Sequence, residues 1–108
     1  MVKQGDIIII DFDPVVGSEQ GGRRPGVVIS GNLAISKTNI LFVCPITTKQ
    51  GKRAMNVLLD ERTKTKGAIL CAHCKSIDIN KRSFSVVEQI PQDKLDEVIN
   101  IITEIITG

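Results

Sequence analysis

The sequence predicts a mostly-β domain, a compact antiparallel barrel or sandwich finished by one helix. Two observations lead there. Six short apolar or β-branched runs, separated by turn-rich connections, fill residues 6–90. From Pro91 onward the apolar period changes from that of a strand to that of a helix. With 108 residues, 42% hydrophobic and 24% charged, the chain has room for a single domain, residues 1–108, and one core.

The runs "DIIIIDFD" and "PGVVIS" flank a glycine-rich stretch and read as a hairpin with a long loop. "NILFVCPI" is a third strand, with Pro45 expected at its end or at an edge position because proline cannot donate to a ladder. "RAMNVLL" and "GAILCAHCKSI" follow, joined by the charged turn "DERTKTKG", and "SFSVVEQI" is the last strand. Leu95, Val98, Ile99, Ile102, Ile105 and Ile106 then form one helical stripe. Pro91 suits the first helical position, and Asp93, Asp96 and Glu97 complement the positive end of the helix dipole. Ile101 lies outside the stripe and marks a second contact surface.

The net charge of +2 hides a segregation. Residues 23–82 carry twelve basic side chains against three acidic ones, +9, while 1–22 and 83–108 carry −3 and −4. Such clustering suits a polyanion, because Lys and Arg neutralise phosphates and release counterions; a set of unrelated solvated loops would have the same composition. Three phenylalanines with no Trp or Tyr argue against a row of stacked bases. Nothing at the N-terminus resembles a signal peptide, and no window approaches the ~20 apolar residues of a membrane helix. With an odd three cysteines, the expectation is a cytoplasmic protein with reduced thiols.

Three motifs bear on chemistry. In "VGSEQGGRRPGVVIS", ten residues separate Pro14 from Pro25, more than a plain hairpin needs. Gly17, Gly21 and Gly22 permit positive φ, whereas Pro25 holds Arg24 extended at a strand root, a setting suited to bidentate phosphate contact. An ordinary long loop with solvated arginines fits the same spacing. In "CPITTKQGKR", the hydroxyls of Thr47 and Thr48 with Lys49, Lys52 and Arg53 could meet phosphate oxygens, although threonine at a strand end is also a common turn former. "CAHC" has zinc or redox spacing, but strand alternation would send Cys71 and Cys74 to opposite faces, with Cys44 remote and Cys71 and His73 sharing a face. No G-x-S-x-G elbow or P-loop is present, and one histidine excludes a two-histidine ribonuclease. Phosphoryl chemistry would therefore rest on arginine, hydroxyls and His73.

The stretch "GDIIIIDFDPVVGSEQGGRRPGVVIS", about a quarter of the chain, resembles the N-terminal signature of the MazF/PemK toxins, ribonucleases of bacterial toxin–antitoxin modules. "FVCPITT" resembles the family's strand ending in a catalytic threonine, "CKSIDINKR" its basic strand and turn, and the last helix its C-terminal helix. The resemblance implies a small twisted antiparallel β-barrel of the CcdB/PemK/MazF type with a terminal helix, assembled as a homodimer. It implies Arg24 and Thr47 as catalytic residues and no metal or cofactor. Single-stranded RNA would be cleaved at short sequences through attack of the ribose 2′-hydroxyl, giving a cyclic phosphate and a 5′-hydroxyl. Substrate binding would fall to Glu19, Gln20, Gly21 and Gly22 of a mobile loop, and to Arg23, Thr48, Lys49, Arg53, His73, Lys75, Lys81 and Arg82. The two protomers would form a groove lined by these basic residues, and the acidic tail of an antitoxin would lie in it. Ala72-His73 departs from the family's acid–amide pair, which bears on substrate preference. Two other readings stand beside it: a non-catalytic toxin like the CcdB proteins, which lack the arginine–proline pair and loop signature, and a nucleic-acid-binding β-barrel without chemistry.

Overall fold

Four consecutive isoleucines in the first strand are explained by burial on both faces of one sheet. The structure, a computed structural model, describes residues 1–12, 22–49, 51 and 53–108. Its strands are β1 (Asp6–Asp11), β2 (Arg23–Val28), β3 (Ile40–Thr47), β4 (Asn56–Leu58), β5 (Ala68–Leu70), β6 (Lys75–Asp78) and β7 (Phe84–Gln89). They pair antiparallel in the order β4-β5-β3-β2-β1-β7, with β6 also on β3. The fold is mostly β as expected, and among the described residues the sheet is open, since β4 and β7 at the two ends of the path do not pair with each other.

Ile7, Val27, Cys44, Ile46, Val57 and Ile69 pack beneath the helix α2 (Gln92–Thr107) through Leu95 and Val98. Ile8, Ile10, Val28, Leu41, Val43 and Ile77 gather on the opposite face around Phe12, beside Ile35 of a short helix α1 (Asn32–Thr38). Alternation thus sends Ile7 into one core and Ile8 and Ile10 into the other, with Ile9 half-buried.

Several local expectations change. Pro45 lies inside β3, opposite Gly26, and not at its end. The Ile29 N–H donates to the Phe42 carbonyl (2.8 Å), so alternation of the register makes Gly26 and Pro45 a non-hydrogen-bonded pair. The missing N–H of Pro45 therefore faces away from β2. On that side β3 changes neighbours, from β6 at residues 40–43 to β5 at 46–47, so no ladder bond is lost.

"GAILCAHCKSI" is not one strand: Cys71–His73 form a 3-10 turn that hands the chain from β5 to β6. Strand alternation therefore does not govern Cys71, His73 and Cys74. Nor is Cys44 remote, because Cys74 packs against the core cluster that contains it.

The helix α1 had no periodic signal to find. It has seven residues and one buried side chain, starts at Gly31 without a side-chain cap and stops at Asn39 in the left-handed region (φ 57). In α2, Pro91 is the cap residue one place before the first turn, its carbonyl accepting from Lys94 and Leu95. Ile101 packs on the core with Ile99 and Ile102, whereas Ile105 and Ile106 at the end of the predicted stripe are exposed.

Candidate active site

Arg24 and Thr47 meet because of register. The β2/β3 ladder pairs Val28 with Val43, Val27 with Cys44 and Gly26 with Pro45. Carried two residues further it sets Arg24 opposite Thr47, in the same non-hydrogen-bonded phase as Gly26 and Pro45, where facing side chains approach most closely. Both line one pocket of about 230 Å³, with Pro25 and Ile46 as its apolar wall and Thr48 and Lys49 at its edge.

Packing beneath brings β2 and β3 close together at Gly26. A Cβ on Gly26 would come 2.6 Å from Val43 Cγ1 and 2.9 Å from Phe12 Cζ, so only glycine lets the sheet close over Phe12 at this point. Arg24 stands half-buried on the strand beside Pro25, while Thr47 is 5% exposed. The Thr47 hydroxyl oxygen accepts the Lys49 N–H (3.2 Å), which leaves its O–H free to turn toward a ligand. A half-buried arginine and an orientable hydroxyl on one small pocket can together stabilise a phosphate that gains negative charge.

The remaining residues named from sequence divide into groups. Arg23 alternates to the other side of β2 and lines a second, larger pocket of about 520 Å³ with Lys81, Arg82, Ser83 and Asp11. Asp11 is the cross-strand neighbour of Arg23, and Arg82 donates to the Asp11 carbonyl (2.7 Å). Gly22, at φ 79, accepts the Phe12 N–H (3.0 Å) at the root of the first hairpin. Arg53 is exposed ahead of β4 and Lys75 is half-buried opposite Val43; neither lines either pocket. His73 sits in the 3-10 turn with its Nδ1 buried and unpartnered among the described residues, away from both pockets. Glu19, Gln20 and Gly21, with the rest of the glycine loop, lie outside the described residues, as does Lys52.

One pocket residue was not foreseen. Lys66, from the connection between β4 and β5, lines the Arg24–Thr47 pocket. It arrives there because β5 pairs with the end of β3, Ala68 opposite Thr47, a neighbour relation that no local pattern announces. Gly67 between them is at φ +124 with its Cβ position 2.4 Å from the Thr47 carbonyl oxygen.

This connection is tied down from outside. The Glu88 carboxylate accepts the Lys64 N–H (3.1 Å), the Thr65 N–H (2.8 Å) and the Thr65 hydroxyl (2.8 Å). Burial works to raise the Glu88 carboxyl, and these hydrogen bonds together more than offset it, leaving it below the usual carboxylate range. Arg62 bridges Asp60 and Asp93, with Nη1–Oδ1 2.8 Å and Nη2–Oδ2 3.0 Å to the latter. Hydrogen bonds from Arg62 hold Asp60 down at about 2 and lower Asp93 as well.

The thiols behave as core groups. The Cys44 thiol is kept protonated, first by its hydrogen bond with Cys74 and then by burial, while the same bond draws Cys74 down. Burial, with Glu97 nearby, pushes Cys71 up to about 12. Among the described residues no group of three His, Cys, Asp or Glu side chains is arranged to hold a metal ion. Among the described residues no helix is long and apolar enough to cross a membrane.

Comparison with known proteins bears on the fold and the family. The chain is similar to the endoribonuclease toxin MazF of Escherichia coli (strain K12), 40% identical over 73 residues that cover 68% of this chain and 65% of that protein. It therefore spans just under two-thirds of that relative. The endoribonuclease EndoA of Bacillus subtilis (strain 168) is 31% identical over 108 residues, 94% of this chain and 93% of its own. The crystal structure of MazF from Deinococcus radiodurans superposes with a TM-score of 0.90 at 29% identity, covering 99% of this chain and 97% of that one. Matched over residues 3–106, the chain belongs to the PemK-like, MazF-like toxin family of type II toxin–antitoxin systems.

Proposed function

We propose that this protein is a sequence-specific endoribonuclease toxin that cleaves single-stranded RNA at the Arg24–Thr47 pocket without a metal ion and is restrained by a cognate antitoxin. One observation carries the reading: the arginine of the arginine–proline pair and the threonine ending β3 share one pocket in a chain of this family. The names of the Escherichia coli and Bacillus subtilis relatives support the activity.

The ribose 2′-oxygen attacks the adjacent phosphorus as its proton leaves. The bond to the 5′-oxygen breaks, and that oxygen takes up a proton to give a 5′-hydroxyl beside a 2′,3′-cyclic phosphate. Charge gathers on the non-bridging oxygens in between. Arg24, positioned before reaction, and the Thr47 O–H stabilise it there, where such donors typically contribute about 10²- to 10³-fold in rate. A guanidinium, with five donors and no acceptor, is suited to this electrostatic role and not to proton abstraction.

The Arg23–Lys81–Arg82 pocket extends the cationic surface for flanking RNA or an acidic antitoxin segment. Exposed Phe42, Val86, Val87, Ile105 and Ile106 supply apolar area for a homodimer, and the protein acts in the cytoplasm, where its RNA is. The test is primer extension on a long RNA incubated with the full chain in EDTA. Cuts at one short sequence, lost in Arg24→Ala and Thr47→Ala proteins of unchanged melting temperature, are expected. Cleavage that needs an added divalent ion, or an Arg24→Ala protein that cuts at full rate, refutes the mechanism.

A further inference from the structure

We propose that Lys66 is a substrate-binding residue of this site, its ammonium holding a phosphate of the RNA strand next to the one that reacts. The proposal rests on the endoribonuclease reading and adds a group that no sequence motif singled out.

Lys66 lines the same pocket as Arg24 and Thr47. Its backbone is held there from two directions. Inside, Gly67 is packed against the Thr47 carbonyl with no space for a side chain, and Ala68 pairs with Thr47. Outside, Glu88 takes three hydrogen bonds from Lys64 and Thr65, and the Thr63 hydroxyl donates to the Thr65 carbonyl (2.8 Å). The residue is thus delivered to the pocket by a braced connection.

Lys66 Nζ donates to the Thr63 carbonyl (3.1 Å), and among the described residues no carboxylate forms an ion pair with it. Arg62, four residues earlier in the same connection, shows the contrast: its guanidinium is spent on Asp60 and Asp93. One hydrogen bond to a carbonyl leaves two of the three ammonium donors of Lys66 for a ligand. With Arg24 and Lys49 also on the pocket, a third cation makes it a site for more than one phosphate charge. An ammonium on a four-carbon stem is a movable point charge, suited to gripping a phosphate, whereas the half-buried Arg24 is the group fixed for the reaction.

Steady-state cleavage of a short fluorogenic RNA by the full chain, across a salt series, separates the roles. Lys66→Gln can still donate to the Thr63 carbonyl but has no charge. It is expected to raise KM about tenfold with kcat within about twofold, and Lys66→Arg to restore KM. The slope of log kcat/KM against log salt should flatten by about 0.7, the share of one single-strand phosphate contact. An unchanged KM and salt slope overturns the proposal, as does a fall in kcat alone. Arg24→Ala is measured alongside. If it cuts at full rate, the site reading fails and takes the Lys66 role with it. If it is inactive while Lys66→Gln matches the parent protein, the Lys66 assignment alone fails.

Discussion

Gly67→Ala tests whether the backbone of the β4–β5 connection sets the position of Thr47. The added Cβ would lie 2.4 Å from the Thr47 carbonyl oxygen and 2.8 Å from its carbonyl carbon, both backbone atoms that no rotamer change can move. Ordinary Cβ contacts begin at about 3.4 Å, so the end of β3 and the connection must separate by about 1 Å. Residue 67 is also at φ +124, where an alanine is strained, a cost on the order of 1–3 kcal/mol. For a domain of this size each kcal/mol lowers Tm by roughly 4–8 °C, so a fall of about 5–20 °C is expected. A 1 Å misplacement of a reacting group costs up to about 100-fold in rate. The assay pairs a thermal melt with RNA cleavage well below the lowered Tm, where the variant is still folded. Gly31→Ala is the control, since a Cβ there meets nothing within 4 Å. A Gly67→Ala protein with the parent Tm and the parent rate refutes the close approach. A protein with lowered Tm and the parent rate refutes its link to Thr47.

Two further expectations concern stability. Val98 is fully buried in α2 against the sheet, so Val98→Ala should cost about 2 kcal/mol by urea denaturation. Leu33→Ala, at a residue 70% exposed, should stay within about 0.5 kcal/mol, and equal costs at both positions would contradict the burial described. The Asp60–Arg62–Asp93 clamp contributes only while its carboxylates, depressed in the folded state, are ionised. The difference in urea midpoint between the parent and Arg62→Met should therefore be full above about pH 4 and fade as pH falls toward 2. A difference that grows on acidification would refute the assigned direction.

Arg24 and Thr47 were candidates from the family resemblance, whereas local patterns in the chain were enough for five of the seven strands, the final helix and the hairpin signature. Each depends on nearest neighbours in sequence: β-branched runs favour extended backbone, the helical stripe recurs every three to four residues, and Pro25 fixes the geometry beside Arg24. α1 escaped because seven residues with one buried side chain make no period. The 3-10 turn at Cys71–His73 escaped because an apolar run reads the same whether or not it bends.

Pairing between distant segments is decided by which arrangement buries both faces of the sheet at once, and no short window encodes it. That arrangement set Ala68 opposite Thr47 and so brought Lys66 to the pocket; it also joined Cys44 to Cys74 and parted Arg23 from Arg24. Composition and spacing named the chemistry available to this chain. Register and packing chose which of its many cations line the pocket beside Thr47.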